Sequence, residues 1–175
     1  MVPHTVLHRM GRRYDAAFFR DLAARIARAL PDAFIGADVI AGFPGESDQE
    51  LAETVQLIRD LPFSDLHVFP YSRRSGTKAF DLPGQVPPQV IKERAEQLRQ
   101  IAAEKKRDFL AGQAGKKLQV LVQGFDETTG TCRGISRNYV TVTFSGNKVM
   151  INTERRVKLD AIAGESACGV VAEEL

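Results

Sequence analysis

The sequence predicts an α/β unit followed by an all-β one: part of a parallel sheet, then a small antiparallel β-barrel. Three observations carry this. Residues 15–112 alternate helix-like and strand-like patterning, the order of elements in a parallel α/β sheet. Beyond residue 112 the chain breaks into short, valine-rich runs with turn signals between them, the texture of a small barrel. Residues 112–115, with a glycine at each end, separate the two textures, so the expected domains are 1–112 and 113–175. Two strands do not complete an α/β domain, and the first part therefore reads as a portion of a larger pattern.

The elements follow in order. Residues 15–30 carry Phe18, Leu22, Ile26 and Ala29 at helical spacing, with Asp15 as a candidate N-cap and Pro31 just past the end. Residues 33–41 form a short apolar run, read as a buried strand. Residues 47–61 form the next helix, because Ser47 and Glu50 stand in capping-box spacing at its start. Residues 65–70, DLHVFP, read as a second strand, with His67 partly buried on it. A loop with several prolines follows, then a long charged helix over 89–112. In the second part, six runs read as strands: KLQVLVQGF, TCRGISR, YVTVTF, KVMIN, RVKLDAI and CGVVAEEL.

Composition narrows the function classes. Hydrophobic residues make up 43% of the 175, enough for a core in one domain or two small ones. The formal net charge is +2, from 24 basic and 22 acidic residues, so a nucleic acid would have to be met by a local patch. No apolar run is long enough to span a membrane, and the N-terminus lacks the apolar stretch of a secretion signal. Cys132 and Cys168 lack metal spacing; a disulfide is possible on arithmetic alone, and a cytoplasmic protein with reduced thiols is expected.

Three constellations could carry chemistry. The first is AGFPGESDQE, residues 41–50, where a strand hands over to a helix. Helix N-terminal N–H groups attract anions and polar ligand groups, glycines at 42 and 45 would permit close approach, and Glu46 could accept a hydrogen bond. A well-capped turn explains the same residues without a ligand. Neither standard phosphate fingerprint is present. The second is basic and aromatic: Arg9, Arg12 and Arg13 around Tyr14, and Arg73, Arg74 and Lys78 after Tyr71, suited to phosphate contact and base stacking or simply solvated. In a parallel sheet the loops after both strands face the same end, where ligands bind. The third is EKKRDF, residues 104–109, with Lys116 and Lys117, which could equally complement a helix dipole. His4 and His8 lack the glutamate of H-E-x-x-H, lie in a segment expected to fray, and are not taken as a metal site.

Taken together, LHRMGRRY, PDAFIGADVIAGFPGESDQE and HVFPYSRRSGTKA, then a long helix and a barrel, resemble the C-terminal half of the radical S-adenosylmethionine (SAM) tRNA methylthiotransferases. The fold implied is the last part of a radical SAM (β/α) barrel followed by the small RNA-binding barrel called TRAM. LHRMGRRY, SRRSGT and GISRNYV look closest to the branch acting on N6-threonylcarbamoyladenosine at position 37 of tRNA. The resemblance implies SAM and 4Fe–4S clusters as cofactors, tRNA as partner and a 2-methylthio adenosine as product. It implies that Gly42, Phe43, Pro44, Gly45 and Glu46 lie beside SAM, with Val39, Ile40, Phe69, Pro70 and Tyr71 near its adenine and Arg12 as a weaker polar contact. For RNA it points to Arg73, Arg74, Lys116 and Lys117, and to CRGISRNY with Arg133, Arg137, Asn138 and Tyr139 around one turn. A competing reading starts a strand at Tyr139 and packs its ring in the core.

The chain departs from the family in one large respect. The C-x3-C-x2-C motif that holds the radical cluster is absent, and so are the cysteines of the second cluster. The chain is therefore expected to be part of an enzyme, inactive without the missing N-terminal part. No catalytic or metal-ligating residue is assigned to it. A stand-alone RNA-binding module is the alternative, and a nucleotide-binding α/β protein using GFPGE a third reading. Open strand edges make self-association possible.

Overall fold

The computed structural model describes residues 4–172 other than 165, and the chain divides into two compact units after Lys105. The first unit holds helices α1 (His4–Arg9) and α2 (Ala16–Ala29), strand β1 (Gly36–Ala41), helix α3 (Asp48–Asp60), strand β2 (Asp65–Pro70) and most of helix α4 (Pro88–Ala111). β1 and β2 pair in parallel with α3 as the crossover, from Gly36 opposite Asp65 to Ala41 opposite Pro70. The sheet has two strands, so among the described residues the second edge of each strand has no ladder partner. The core lies between this sheet and the helices: Leu51, Val55 and Ile58 of α3 with Leu98, Ile101 and Ala102 of α4, closed by Phe63 and Leu66.

The caps are built as the sequence suggests. The Asp15 carboxylate accepts from the Phe18 N–H at 2.8 Å and starts α2. Ser47 and Glu50 form a reciprocal capping box at the start of α3. The inward face of α2 is not the expected one: Ala16 and Ala23 are buried with Phe19 packed on the core, whereas Phe18 is 57% exposed and Leu22 is also exposed. Small side chains let the helix lie close to its neighbours, and only Ile26 of the predicted stripe turns partly inward. His67 is exposed rather than partly buried.

In the second unit, β3 (Lys117–Asp126), β4 (Thr131–Ser136), β5 (Thr141–Ser145), β6 (Glu154–Ala163) and β7 (Ser166–Val171) close a barrel in the order β3-β4-β5-β7-β6. Val120, Val122, Val142, Val157 and Leu159 fill it from alternating positions, with Phe109 and Leu110 from the last turn of α4. Two expectations are corrected here. The barrel is not wholly antiparallel, since β5 and β7 run parallel, from Thr141 opposite Ser166 to Phe144 opposite Gly169. KVMIN is not a strand: Lys148–Met150 is one 3-10 turn, capped by the Asn147 side chain on the Val149 N–H. The last run was read through to 175; its final three residues lie outside the described ones.

Candidate functional site

β1 and β2 end side by side, so the loops after them leave from the same end of the sheet. A cavity of about 550 Å³ opens there. β1 and its loop contribute Val39, Ile40, Phe43 and Glu46; β2 and its loop contribute Phe69, Pro70, Tyr71 and Arg74. The segment before α2 adds Met10, Arg12 and Tyr14, alternate residues of a chain that is not helical there. Phe43 and Tyr71 meet edge to face at 5.5 Å between ring centres, and the Tyr71 hydroxyl donates to the Ala79 carbonyl at 3.0 Å. The walls are largely apolar, and Arg12, Arg74, Asp38 and Glu46 supply the charges.

The GFPGE loop is organised differently from the sequence reading. Its N–H groups are spent inside the protein. The Gly42 N–H donates to Glu46 Oε2 at 2.9 Å, Gly45 to the Gly84 carbonyl at 2.8 Å, Glu46 to the Phe43 carbonyl at 2.9 Å and Ser47 to Glu50 Oε2 at 2.8 Å. Gly42, Pro44 and Gly45 do not line the cavity. Gly42 has φ +75°, and a Cβ there would lie 2.5 Å from Ile91 Cγ1 of α4. Glycine is thus required at 42 by a left-handed backbone and by the packing of α4 alone. The third reading, a nucleotide held on this loop, meets N–H groups already committed.

Glu46 is 7% exposed. Burial pushes its carboxyl above the usual range, while the Gly42 N–H and the Arg94 guanidinium pull it back down. Arg94, also 7% exposed, donates to Glu46 Oε2 at 2.9 Å, to the Glu46 carbonyl at 2.8 Å and to Asp48 at 2.7 Å. One side chain of α4 therefore fixes the end of the loop and the first turn of α3. Arg9 does the same from α1, reaching the Gly45 carbonyl at 3.1 Å and both Glu50 oxygens at 3.2 Å. The N-terminal segment, expected to fray, is a helix at residues 4–9 whose Arg9 is an internal clamp rather than a phosphate ligand.

Sequence reasoning missed Arg94, Asp38 and Met10. Arg94 gave no local signal, because its partner lies 48 residues away in the chain. Asp38 did give one, as the acidic residue in an apolar strand. Met10 shares the two-residue spacing of Arg12 and Tyr14.

The predicted RNA residues fall in several places. Arg73 lies over the Phe80 ring at 4.0 Å and donates through Nε to the Phe80 carbonyl at 2.9 Å. Lys105, within the basic run of α4, donates to the carbonyls of Arg59 and Leu61 at 2.7 and 2.8 Å and so closes the C-terminal end of α3. In the barrel, Arg133 lies on β4 opposite Thr143, apart from the turn that holds Arg137, Asn138 and Tyr139. Arg137 pairs with Glu154 at 2.9 Å, and the Asn138 amide donates to Gln113 Oε1 at 3.2 Å. Tyr139 is 71% exposed with φ +63°, which overturns the reading that packs it in the core. Lys117 is exposed at the start of β3, and Lys116 is half-buried just before it.

Cys132 is buried, Cys168 is exposed, and both are free thiols. Among the described residues no three or more His, Cys, Asp and Glu side chains are grouped to hold a metal ion. None of the described helices is long and apolar enough to cross a membrane.

No family model matches the chain. Curated proteins do. It is 36% identical over 159 residues to the threonylcarbamoyladenosine tRNA methylthiotransferase MtaB of Bacillus subtilis, covering 89% of this chain and 35% of the relative. It is 33% identical over 174 residues to the tRNA-2-methylthio-N(6)-dimethylallyladenosine synthase of Bacillus velezensis, covering 97% of this chain and 33% of the relative. A synthase of the same name from Acidothermus cellulolyticus is 40% identical over 121 residues, 67% of this chain and 24% of the relative. The chain thus spans about a third of the length of the curated relatives it matches. With identities of 33–40% over most of its length, it matches the C-terminal part of a radical SAM tRNA methylthiotransferase.

Proposed function

We propose that the chain is the C-terminal portion of an enzyme that adds a 2-methylthio group to N6-threonylcarbamoyladenosine at position 37 of tRNA, in the cytoplasm. In this reading the unit at 1–112 gives one wall of the SAM site and the barrel at 113–175 binds the tRNA. The observation that carries it is convergence. Val39, Ile40, Phe43, Phe69, Pro70, Tyr71 and Arg12 come from four separated stretches of sequence and line one cavity at the C-terminal ends of two parallel strands.

The cavity residues fit SAM: an apolar wall with edge-to-face aromatics suits an adenine ring, and Arg12 and the carboxylates suit polar groups. Bound in such a site, SAM supplies the radical and the methyl group of the family's chemistry. The chain's own contribution is to bind and orient. Phe43 and Tyr71 brace one another, the Arg94–Glu46 pair holds the loop end, and the apolar walls keep water from the site. The described residues do not fit an iron–sulfur cluster, so cluster ligation is assigned to the rest of the enzyme.

The test is nucleoside analysis of tRNA by mass spectrometry after deletion of the gene. Loss of 2-methylthio-N6-threonylcarbamoyladenosine is expected. Loss of the dimethylallyl product instead assigns the protein to the other branch, and loss of neither overturns the proposal. Calorimetry with the chain alone should show little heat at millimolar SAM, since two strand ends line only part of the site. A stand-alone RNA-binding module is the second reading, favoured by a barrel that closes on its own core. It predicts tRNA binding with no change in nucleoside content on deletion.

A further inference from the structure

The barrel carries two locally unfavourable features at one end. On β3 and β6 the outward side chains alternate with the buried Val120, Val122, Val157 and Leu159. This alternation sets Lys117 directly opposite Lys158, with Arg156 opposite Gln119 one outward position along. Like charges directly opposite each other destabilise a strand pair. Among the described residues none of these three cations has an acidic partner. The second feature is Tyr139, a non-glycine residue with φ +63° whose ring is turned outward. That conformation is costly for any side chain with a Cβ.

The two features are neighbours. The Arg137 N–H donates to the Gln119 carbonyl at 3.2 Å, and the Asn138 amide holds Gln113, just ahead of β3. The turn is therefore fastened to the same half of β3 that carries Lys117. The acids Asp126 and Glu127 lie at and just past the far end of β3, where Glu127 pairs with Lys148 at 3.1 Å. Residues 113–175 hold eight basic and seven acidic residues, so the basic character arises from placement and not from excess.

We propose that the outer face of β3 and β6, through Lys117, Lys158 and Arg156, joins the Tyr139 turn in one platform for unpaired RNA. Tyr139 stacks on a base and the three cations take the adjoining phosphates. An exposed aromatic ring beside unpaired cations is the combination that single-stranded RNA recognises. The proposal rests on the tRNA-binding reading and adds where on the barrel the strand lies.

The test uses the whole chain, an unmodified tRNA transcript and, separately, vesicles containing phosphatidylserine. Lys117→Ala with Lys158→Ala should weaken tRNA binding at least about tenfold at low salt. The slope of log affinity against log salt should fall by roughly 1.4, the value for two single-strand phosphate contacts. The thermal midpoint should not fall, because a repulsion has been removed. Lys117→Arg with Lys158→Arg should retain affinity and slope, and Lys148→Ala should change neither. If the parent binds tRNA and the double alanine variant binds it equally with the same slope, the platform is wrong while the tRNA reading stands. Failure of the arginine variant to retain binding also overturns it. A parent chain that binds no tRNA removes both readings, and binding to vesicles but not to tRNA assigns the face to a membrane surface instead.

Discussion

Replacing Gly42 by alanine separates a structural glycine from a ligand-approach glycine. The backbone at 42 has φ +75°, a region that costs an L-residue about 1–2 kcal/mol. The added Cβ would lie 2.5 Å from Ile91 Cγ1 and 3.3 Å from Ile91 Cα, so rotation of the isoleucine alone does not clear it. Overpacking of this kind costs about 1–3 kcal/mol. Together the first unit should lose about 2–5 kcal/mol. Urea unfolding followed by far-ultraviolet circular dichroism reports this unit, which contains most of the helix. With a slope of about 1–2 kcal/mol/M, the midpoint should fall by about 1 M or more. Ile91→Ala in the same chain should recover the packing part and leave the left-handed part, a coupling that a double-mutant cycle measures. If Gly42→Ala unfolds within about 0.5 kcal/mol of the parent, the packing argument is refuted. The glycine would then have to be explained by what approaches it from outside.

Arg94→Ala should cost about 3–5 kcal/mol, because it leaves the Glu46 carboxylate buried without its cation; a denaturant midpoint close to the parent's would mean that water reaches the pair. Glu46 has a folded pKa raised above its ordinary 4.5, so the folded state binds the proton more tightly. Its contribution is therefore greatest below pH 4.5 and is lost as pH rises through the folded value. Glu46→Gln should gain on the parent across that window, and parallel stability–pH curves would contradict this. Tyr139→Gly should raise the barrel's stability by about 1 kcal/mol, by relieving φ +63°, while weakening tRNA binding; a loss of stability in thermal melts would show that the ring holds the turn.

How much was legible depended on the range of the interaction. Ser47 and Glu50 are three residues apart and announced the start of α3, which the capping box confirms. Asp15 likewise marked α2. The inward face of α2 was misread because Phe18 and Leu22 are larger than Ala16 and Ala23, and size was taken for burial. KVMIN has strand composition, but Asn147 caps the backbone two residues on and turns it into a 3-10 helix. The parallel β5–β7 pair has no signature in either strand, since direction is set by where the chain returns. In the candidate site, both strand ends and their aromatics were legible. The role of Gly42 was not, because it depends on Ile91, far along the chain. Arg9 and Arg94 read as solvated charge and turned out to be internal clamps.

The two-stranded sheet of the first unit has a consequence for how copies of this chain would meet. β1 and β2 each leave one edge unladdered among the described residues, and the two edges are different surfaces. If β1 of one molecule pairs with β1 of another about a two-fold axis, both edges of that kind are consumed and growth stops at a dimer. If β1 of one molecule pairs with β2 of the next, each addition presents a fresh edge and growth does not close. The first route gives a discrete particle whose size saturates with concentration. The second gives open-ended fibres.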